Sequence, residues 1–290
     1  MWMMTKSKNN RSLLALVLAL CLFAVGCSQA ATAPTPTPLP QKEAVTAKPP
    51  TVSPPPINDT DLFSYEGQPE QTLYDFYCQN EDTIGWLTIP GIKTDNVVMM
   101  GQEGKKYASG KDGRDHYLNS SFTHASRTSG ELYIDTRCHV GYDTISQNIT
   151  LYGHHMKDGS MLSGLDYYEN KNYWQNHQYF TLQTLWNTYH YRVFGIFVID
   201  LNRNQHLEFD FRKESFASEQ EFTAFIDEVK RRSMYQTDVP IDGDDKVINL
   251  VTCTYPTGNP DVDNARLIMM GRLCTDPQEI QAAEAALAEK

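Results

Sequence analysis

The chain has 290 residues, enough for one large domain or two small ones. Its formal net charge is −11 at pH 7, from 25 Lys and Arg against 36 Asp and Glu. This balance argues against nucleic acid as a partner, because surfaces that bind nucleic acid are basic.

The first 27 residues have the pattern of an export signal. Three basic residues within the first 11 precede an uninterrupted apolar run at residues 13–25. A membrane-spanning helix needs about 20 apolar residues, so this run is short for a stable span and typical of a signal peptide. Residues 24–27, which end in Cys27, resemble a bacterial lipobox, which predicts a lipid on Cys27 after cleavage. The alternative is an uncleaved signal anchor. Either arrangement places the protein at the extracytoplasmic face of a bacterial membrane.

Residues 28–60 are predicted to form a linker. Pro, Thr and Ala dominate the stretch, most clearly at residues 31–40, and a second group of prolines lies at residues 49–56. Such a composition buries too little apolar surface to fold, and its prolines keep the chain extended. The linker is followed by a predicted folded domain at residues 61–275 and a polar, helical tail at residues 276–290.

Short β-rich segments dominate the predicted domain. Helical spacing of apolar residues opens it at residues 61–80, and an amphipathic helix is predicted at residues 218–232. Gly, Asn, Asp and Pro separate the strands. Many short strands with one inserted helix predict a small barrel or sandwich. The predicted strands are residues 84–89, 96–100, 131–134, 149–152, 179–182, 191–199, 247–253 and 266–273.

Four cysteines follow the linker, with no CxxC pair and no metal-ligand spacing. Cys78, Cys138 and Cys274 are interpreted as small apolar residues buried in the core. Cys253 differs, because it ends an apolar run just before a segment with the composition of a loop. A thiol at such a junction is predicted to be exposed, and the alternative is a fourth core cysteine.

Two further groups complete a possible chemistry around Cys253. His154 follows a Tyr-Gly pair at the end of a predicted strand, and Arg266 heads another. A thiol can attack a carbonyl, an imidazole can protonate the leaving group, and a guanidinium can stabilise the oxyanion. The neighbouring His155 is interpreted as a solvent-facing histidine, and Arg272 as an exposed charge on an edge strand.

With these residues in view, the chain resembles a class B sortase. The stretch NLVTC at residues 249–253 resembles the TLxTC signature of that family, and YGHHM at residues 152–156 resembles its histidine motif. The family's arginine corresponds to Arg266. The likeness covers residues 80–273, and Asn249 departs from it, since threonine is usual there. We expect this departure to perturb strand packing more than chemistry.

The resemblance implies a mostly β fold, a closed eight-stranded barrel with N-terminal helices and one inserted helix. It also implies a transpeptidase in which Cys253 attacks the threonine carbonyl of a sorting motif near a substrate protein's C-terminus. His154 would protonate the departing amine, and Arg266 would bind the substrate backbone or the oxyanion. An amine of a peptidoglycan precursor or a pilin would then resolve the acyl-enzyme. Leu118 is implied to face the substrate, and neither a metal nor an organic cofactor is expected.

Two other functions remain open from the residues alone. An exported cysteine peptidase would use the same three groups but release its acyl-enzyme to water. A peptide-binding lipoprotein would hold a ligand in the barrel and leave Cys253 unreactive.

Overall fold

The structure is a computed structural model that describes residues 73–108, 110–254 and 264–289. The predicted signal peptide, Cys27 and the linker at residues 28–60 lie outside these residues. So does the segment at residues 255–263, which joins the last two strands. Within the described part of the chain, no helix is long and apolar enough to cross a membrane.

Eight strands form a closed barrel, in the order β1-β2-β3-β4-β7-β8-β6-β5. The pairs β2–β3 and β4–β7 are parallel, and the remaining neighbours are antiparallel. The mostly β fold and the closed eight-stranded barrel are therefore confirmed, and every predicted strand is present. The strands are β1 (Thr83–Thr88), β2 (Asp95–Met99), β3 (Leu132–Ile134), β4 (Asn148–Tyr152), β5 (Tyr179–Thr184), β6 (Thr188–Asp200), β7 (Val247–Thr254) and β8 (Ala265–Leu273).

The strand β7 carries apolar side chains on both faces, because the barrel core covers one face and a second apolar cluster covers the other. Ile248 and Leu250 point into the core of the barrel. Val247 and Val251 point outwards and pack in a second apolar cluster beneath a helix. Side chains alternate between the faces of a strand, so Cys253 shares the outer face with Val251. The site at Cys253 is thus expected on the outside of the barrel wall.

The inserted helix is α4 (Glu219–Arg232), which confirms the prediction at residues 218–232. Ser218 is its N-cap, and its side chain accepts a hydrogen bond from the backbone N–H of Glu221 at 3.2 Å. The apolar face of the helix is buried against the outside of β6. Burial of this face explains why the helix is stable although its opposite face is polar. The buried residues are Phe222, Phe225, Ile226 and Val229.

The helix α1 (Leu73–Gln79) lies within the predicted N-terminal helical region. Cys78 is exposed on it, so the interpretation of Cys78 as a core residue is wrong. The reason is that this helix buries only Leu73. Cys138 and Cys274 are buried, as expected. Two helices that were not predicted, α2 (Lys171–Asn176) and α3 (Gln205–Glu208), are too short to show helical periodicity.

The polar tail forms the helix α5 (Pro277–Ala288), which packs against β5 and β6. Its Glu279 forms an ion pair with Arg272 and accepts a second bond from Arg192 at 3.2 Å. Arg272 is only 5 % exposed. The interpretation of Arg272 as an exposed edge-strand charge is therefore wrong, because β8 is an interior strand and α5 supplies the carboxylate.

We expect Glu279→Ala to lower the free energy of unfolding by about 3 kcal/mol, since it leaves a buried guanidinium without its carboxylate. Chemical denaturation measures this difference. Glu284→Ala, an exposed carboxylate on the same helix, is the control and should change stability by less than about 0.5 kcal/mol. Equal effects of the two variants would contradict the role given to Glu279.

Candidate active site

Strand register brings the three candidate catalytic residues together. In the parallel pair β4–β7, Tyr152 is opposite Val251, and the N–H of Gly153 donates to the carbonyl of Val251 at 3.1 Å. His154 lies two residues after Tyr152, and Cys253 lies two residues after Val251. The two side chains are therefore at the same height along neighbouring strands. On the other side of β7, Cys253 is directly opposite Arg266 of β8.

His154, Cys253 and Arg266 line a single cleft of about 380 Å³. Cys253 is a free thiol and is partly exposed. A core position for Cys253 is thereby excluded, and the thiol is accessible to a substrate. Leu118, the residue implied to face the substrate, lines the same cleft. All four residues singled out in the domain therefore lie at one place on the barrel.

The imidazole of His154 is fixed by a backbone carbonyl. Its Nε2 lies 2.7 Å from the carbonyl oxygen of Leu118, at the end of the 3₁₀ helix His116–Leu118. A carbonyl oxygen can only accept a hydrogen bond, so Nε2 carries a proton. The nitrogen left for proton exchange with a substrate is therefore Nδ1. Leu118 thus acts on the site through its backbone.

A buried polar cluster fixes the 3₁₀ helix that carries Leu118. The hydroxyl groups of Tyr117 and Tyr107 donate to Asp82 at 2.8 and 2.6 Å, and Asn80 donates to the Tyr117 oxygen at 2.9 Å. Burial raises the pKa of Tyr107 to about 12, and it raises that of Tyr117 further. Both phenols therefore remain neutral donors at physiological pH and hold the segment next to Leu118.

The second histidine of the pair takes no part in the cleft. His155 forms a hydrogen bond from Nε2 to Asp166 at 2.6 Å, and its side chain is only 19 % exposed. Its interpretation as a solvent-facing histidine is wrong, because its ring is mostly buried and its Nε2 is bonded to Asp166. Of the two adjacent histidines, His154 is the one that lines the cleft.

Arg266 places its guanidinium at the edge of the cleft. Its Nη1 donates to the carbonyl oxygen of Ala265 at 2.9 Å and to the side chain of Asn264 at 3.2 Å. These bonds orient the planar guanidinium. Its remaining N–H groups can donate to an oxygen bound next to Cys253.

An ionic network in the cleft was not predicted from the sequence. Arg137 donates from Nε and Nη2 to the two oxygens of Asp135, at 2.9 and 2.7 Å, and Tyr152 donates to the same carboxylate at 3.1 Å. Burial acts to raise the pKa of Asp135, but the bonds from Arg137 outweigh it and the pKa is lowered. The carboxylate is therefore ionised. Asp135 and Arg137 directly follow β3, which places them at the cleft. No sequence motif marks this position.

Asn249 has a role that was not anticipated. Its side-chain N–H groups donate to Asn148 and to the carbonyl of Phe211, both at 2.8 Å. Asn148 in turn donates to the carbonyls of Phe211 and Lys213, both at 2.9 Å. The two amides therefore anchor the segment that leads from β6 to α4, and this segment places Arg212 in the cleft.

The described residues contain no group of three or more His, Cys, Asp or Glu side chains that could hold a metal ion. The chemistry that the cleft can perform with its own groups is attack by a thiol, proton transfer by an imidazole and stabilisation of an oxyanion by a guanidinium.

The family described as Sortase domain matches residues 87–274. The chain belongs to this family. It is 25 % identical over 217 residues to sortase B of Listeria monocytogenes, which covers 75 % of this chain and 80 % of that protein. Its identity to sortase B of Staphylococcus aureus is 26 % over 174 residues, covering 60 % of this chain and 64 % of that protein.

The fold is also that of solved sortases. A structure described as a Staphylococcus aureus sortase B–substrate complex superposes with a TM-score of 0.58 at 22 % identity, covering 70 % of this chain and 84 % of that chain. This likeness supports the barrel architecture. The family match shows that the chain is a sortase, a cysteine transpeptidase, and both of the relatives to which it is similar are named sortase B.

The bond to Leu118 fixes the tautomer of His154, and this can be measured. We expect ¹⁵N–¹H correlation spectra of the purified protein to show that the neutral imidazole of His154 carries its proton on Nε2. His139, an exposed histidine outside the cleft, is the control and should show both tautomers. A His154 protonated only on Nδ1 would contradict the hydrogen bond to the carbonyl.

Proposed function

We propose that this sortase cleaves a C-terminal sorting motif after threonine and transfers the threonine to an amine. The observation that carries the proposal is the convergence of His154, Cys253 and Arg266 on one cleft through the register of β4, β7 and β8. Each group has the chemistry that one step of acyl transfer requires.

The first step forms an acyl-enzyme. The thiolate of Cys253 bonds to the threonine carbonyl carbon, and the carbonyl oxygen becomes an oxyanion that Arg266 stabilises. Collapse of this intermediate breaks the peptide bond after threonine. The departing amine takes from Nδ1 of His154 the proton that the Cys253 thiol gave up to this nitrogen when it became a thiolate, while Nε2 keeps its proton on the carbonyl of Leu118. A thioester on Cys253 remains.

The second step transfers the acyl group. An amine attacks the thioester carbonyl, a new amide bond forms, and the thiolate of Cys253 leaves. The proton lost by the attacking amine goes to Nδ1 of His154, which restores the starting state. The acceptor is an amine of a peptidoglycan precursor or of a pilin. Leu118 contacts the sorting peptide at the wall of the cleft.

The substrates of this reaction are surface proteins that carry a sorting motif. The enzyme is exported by residues 1–27, held at the membrane by a lipid on Cys27, and separated from it by the linker at residues 28–60. The catalytic domain extends over residues 61–275. The apolar run and the lipobox-like residues of the N-terminus support this arrangement. The reaction then takes place on the extracytoplasmic face of the membrane.

Replacing the nucleophile tests the proposal. We expect Cys253→Ala to abolish the covalent adduct that intact-mass spectrometry detects after incubation with a library of sorting-motif peptides. Cys78→Ala is the control, since Cys78 is the other exposed free thiol of the described residues, and it should acylate normally. An adduct on the Cys253→Ala variant would contradict the assignment.

The fate of the adduct separates the three functions. Transfer to an added amine is the result expected of a sortase. Release to water alone would favour a cysteine peptidase. No adduct with any peptide would favour a peptide-binding lipoprotein.

We expect Arg266→Ala to lower kcat/KM for acylation by a factor on the order of 10²–10³, the usual cost of losing an oxyanion donor. Arg231→Ala removes the same charge from the exposed face of α4 and should leave the rate unchanged. Initial rates of amine release measure both variants. A loss of less than about threefold for Arg266→Ala would contradict the role of the guanidinium.

A further inference from the structure

The cleft beside Cys253 carries positive charge although the chain is acidic as a whole. Four arginines and two aspartates line it, and Asp210 and Asp112, which pair with Arg212 and Arg114, lie outside the lining. The formal net charge of the chain is −11. Arginines outnumber aspartates at the surface of the cleft, and such an excess attracts a group of the opposite charge. This cleft therefore favours a negatively charged group on its substrate.

Arg212 is the arginine best placed to bind such a group. Arg137 already gives two N–H groups to Asp135. Arg212 gives its Nε–H to Asp210 at 2.8 Å, and its two terminal nitrogens have no hydrogen-bond partner among the described residues. Its side chain is 34 % exposed. A planar guanidinium with both terminal nitrogens available fits a carboxylate through two parallel hydrogen bonds.

The position of Arg212 is fixed by its neighbours in the chain. The carbonyls of Phe211 and Lys213, which flank it, accept hydrogen bonds from the side chains of Asn148 and Asn249. These amides belong to β4 and β7, the strands that lead to His154 and Cys253. The backbone at Arg212 is therefore fixed against the same strands as the catalytic residues, and Asp210 orients its guanidinium, which reduces the ordering needed when a ligand binds.

We propose that Arg212 determines specificity by binding a carboxylate of the substrate beside the bond that Cys253 breaks. The inference rests on the proposed function and names a chemical feature of its substrate. The carboxylate belongs either to an acidic side chain in the sorting peptide or to the molecule that carries the accepting amine.

Paired substrates test the proposal. In the donor arm, an active sorting peptide is varied one position at a time. Two matched peptides carry Asp and Asn at that position, two others carry Glu and Gln, and the acylation kcat/KM is measured for both members of each pair. In the acceptor arm, the transfer rate is compared for an amino acid amine with a free carboxylate and for its amide. The enzymes are the wild type, Arg212→Gln, Arg212→Lys and the control Arg231→Gln.

We expect the wild type to prefer the carboxylate member of one pair by about tenfold, the size of one charge-assisted hydrogen bond. Arg212→Gln should remove this preference, Arg212→Lys should keep part of it, and Arg231→Gln should keep all of it. The arm in which the preference changes identifies the source of the carboxylate. Equal ratios for the wild type and Arg212→Gln in both arms would overturn the proposal. Failure of every peptide to acylate Cys253 in the wild type would overturn the proposed function as well.

Discussion

The pairing of β7 with β4 on one side and with β8 on the other is the constraint on which the site depends. The parallel register places His154 level with Cys253, and the antiparallel register places Arg266 directly opposite it. A slip of one residue in β7 would turn Cys253 into the barrel and its apolar neighbours out of it. The core packing of Ile248 and Leu250 therefore sets the orientation of the nucleophile. Stability of the barrel and geometry of the site come from the same contacts.

Buried polar side chains fix the segments of the site that the strand register does not position. Asp82 fixes the segment whose carbonyl orients His154, and the amides of Asn148 and Asn249 fix the segment that carries Arg212. Each of these three side chains is buried and makes hydrogen bonds, which offset the cost of burying a polar group, although Oδ1 of Asn249 has no partner among the described residues. They act on the cleft through the backbone of other residues. The catalytic side chains thus have little freedom to rearrange, which is what preorganised electrostatic catalysis requires.

The sequence predicted the strands and helices that show a periodic spacing of apolar residues, and the residues that belong to a motif. Alternation and turn residues located all eight strands, and the apolar face of α4 located the inserted helix. The thiol of Cys253 and the two residues beside it, His154 and Arg266, were found by their chemistry and strand positions. Contacts between residues that are far apart in the sequence produce no such pattern. The partner of Arg272 comes from the C-terminal helix, and Asp135 and Arg212 reach the cleft from segments that show no motif. Asn249 was recognised as unusual, but its bond to Phe211 depends on where a distant segment folds back.

The central claim is that His154, Cys253 and Arg266 act on one carbonyl group. The most direct measurement is a crystal structure of the enzyme with a sorting peptide bound covalently to Cys253. The account predicts that the peptide lies in the cleft, that the guanidinium of Arg266 donates to the carbonyl oxygen at the modified sulfur, and that Nδ1 of His154 faces the departing or attacking amine. A peptide bound to Cys253 with its carbonyl oxygen directed away from Arg266, and with His154 out of reach, would contradict it.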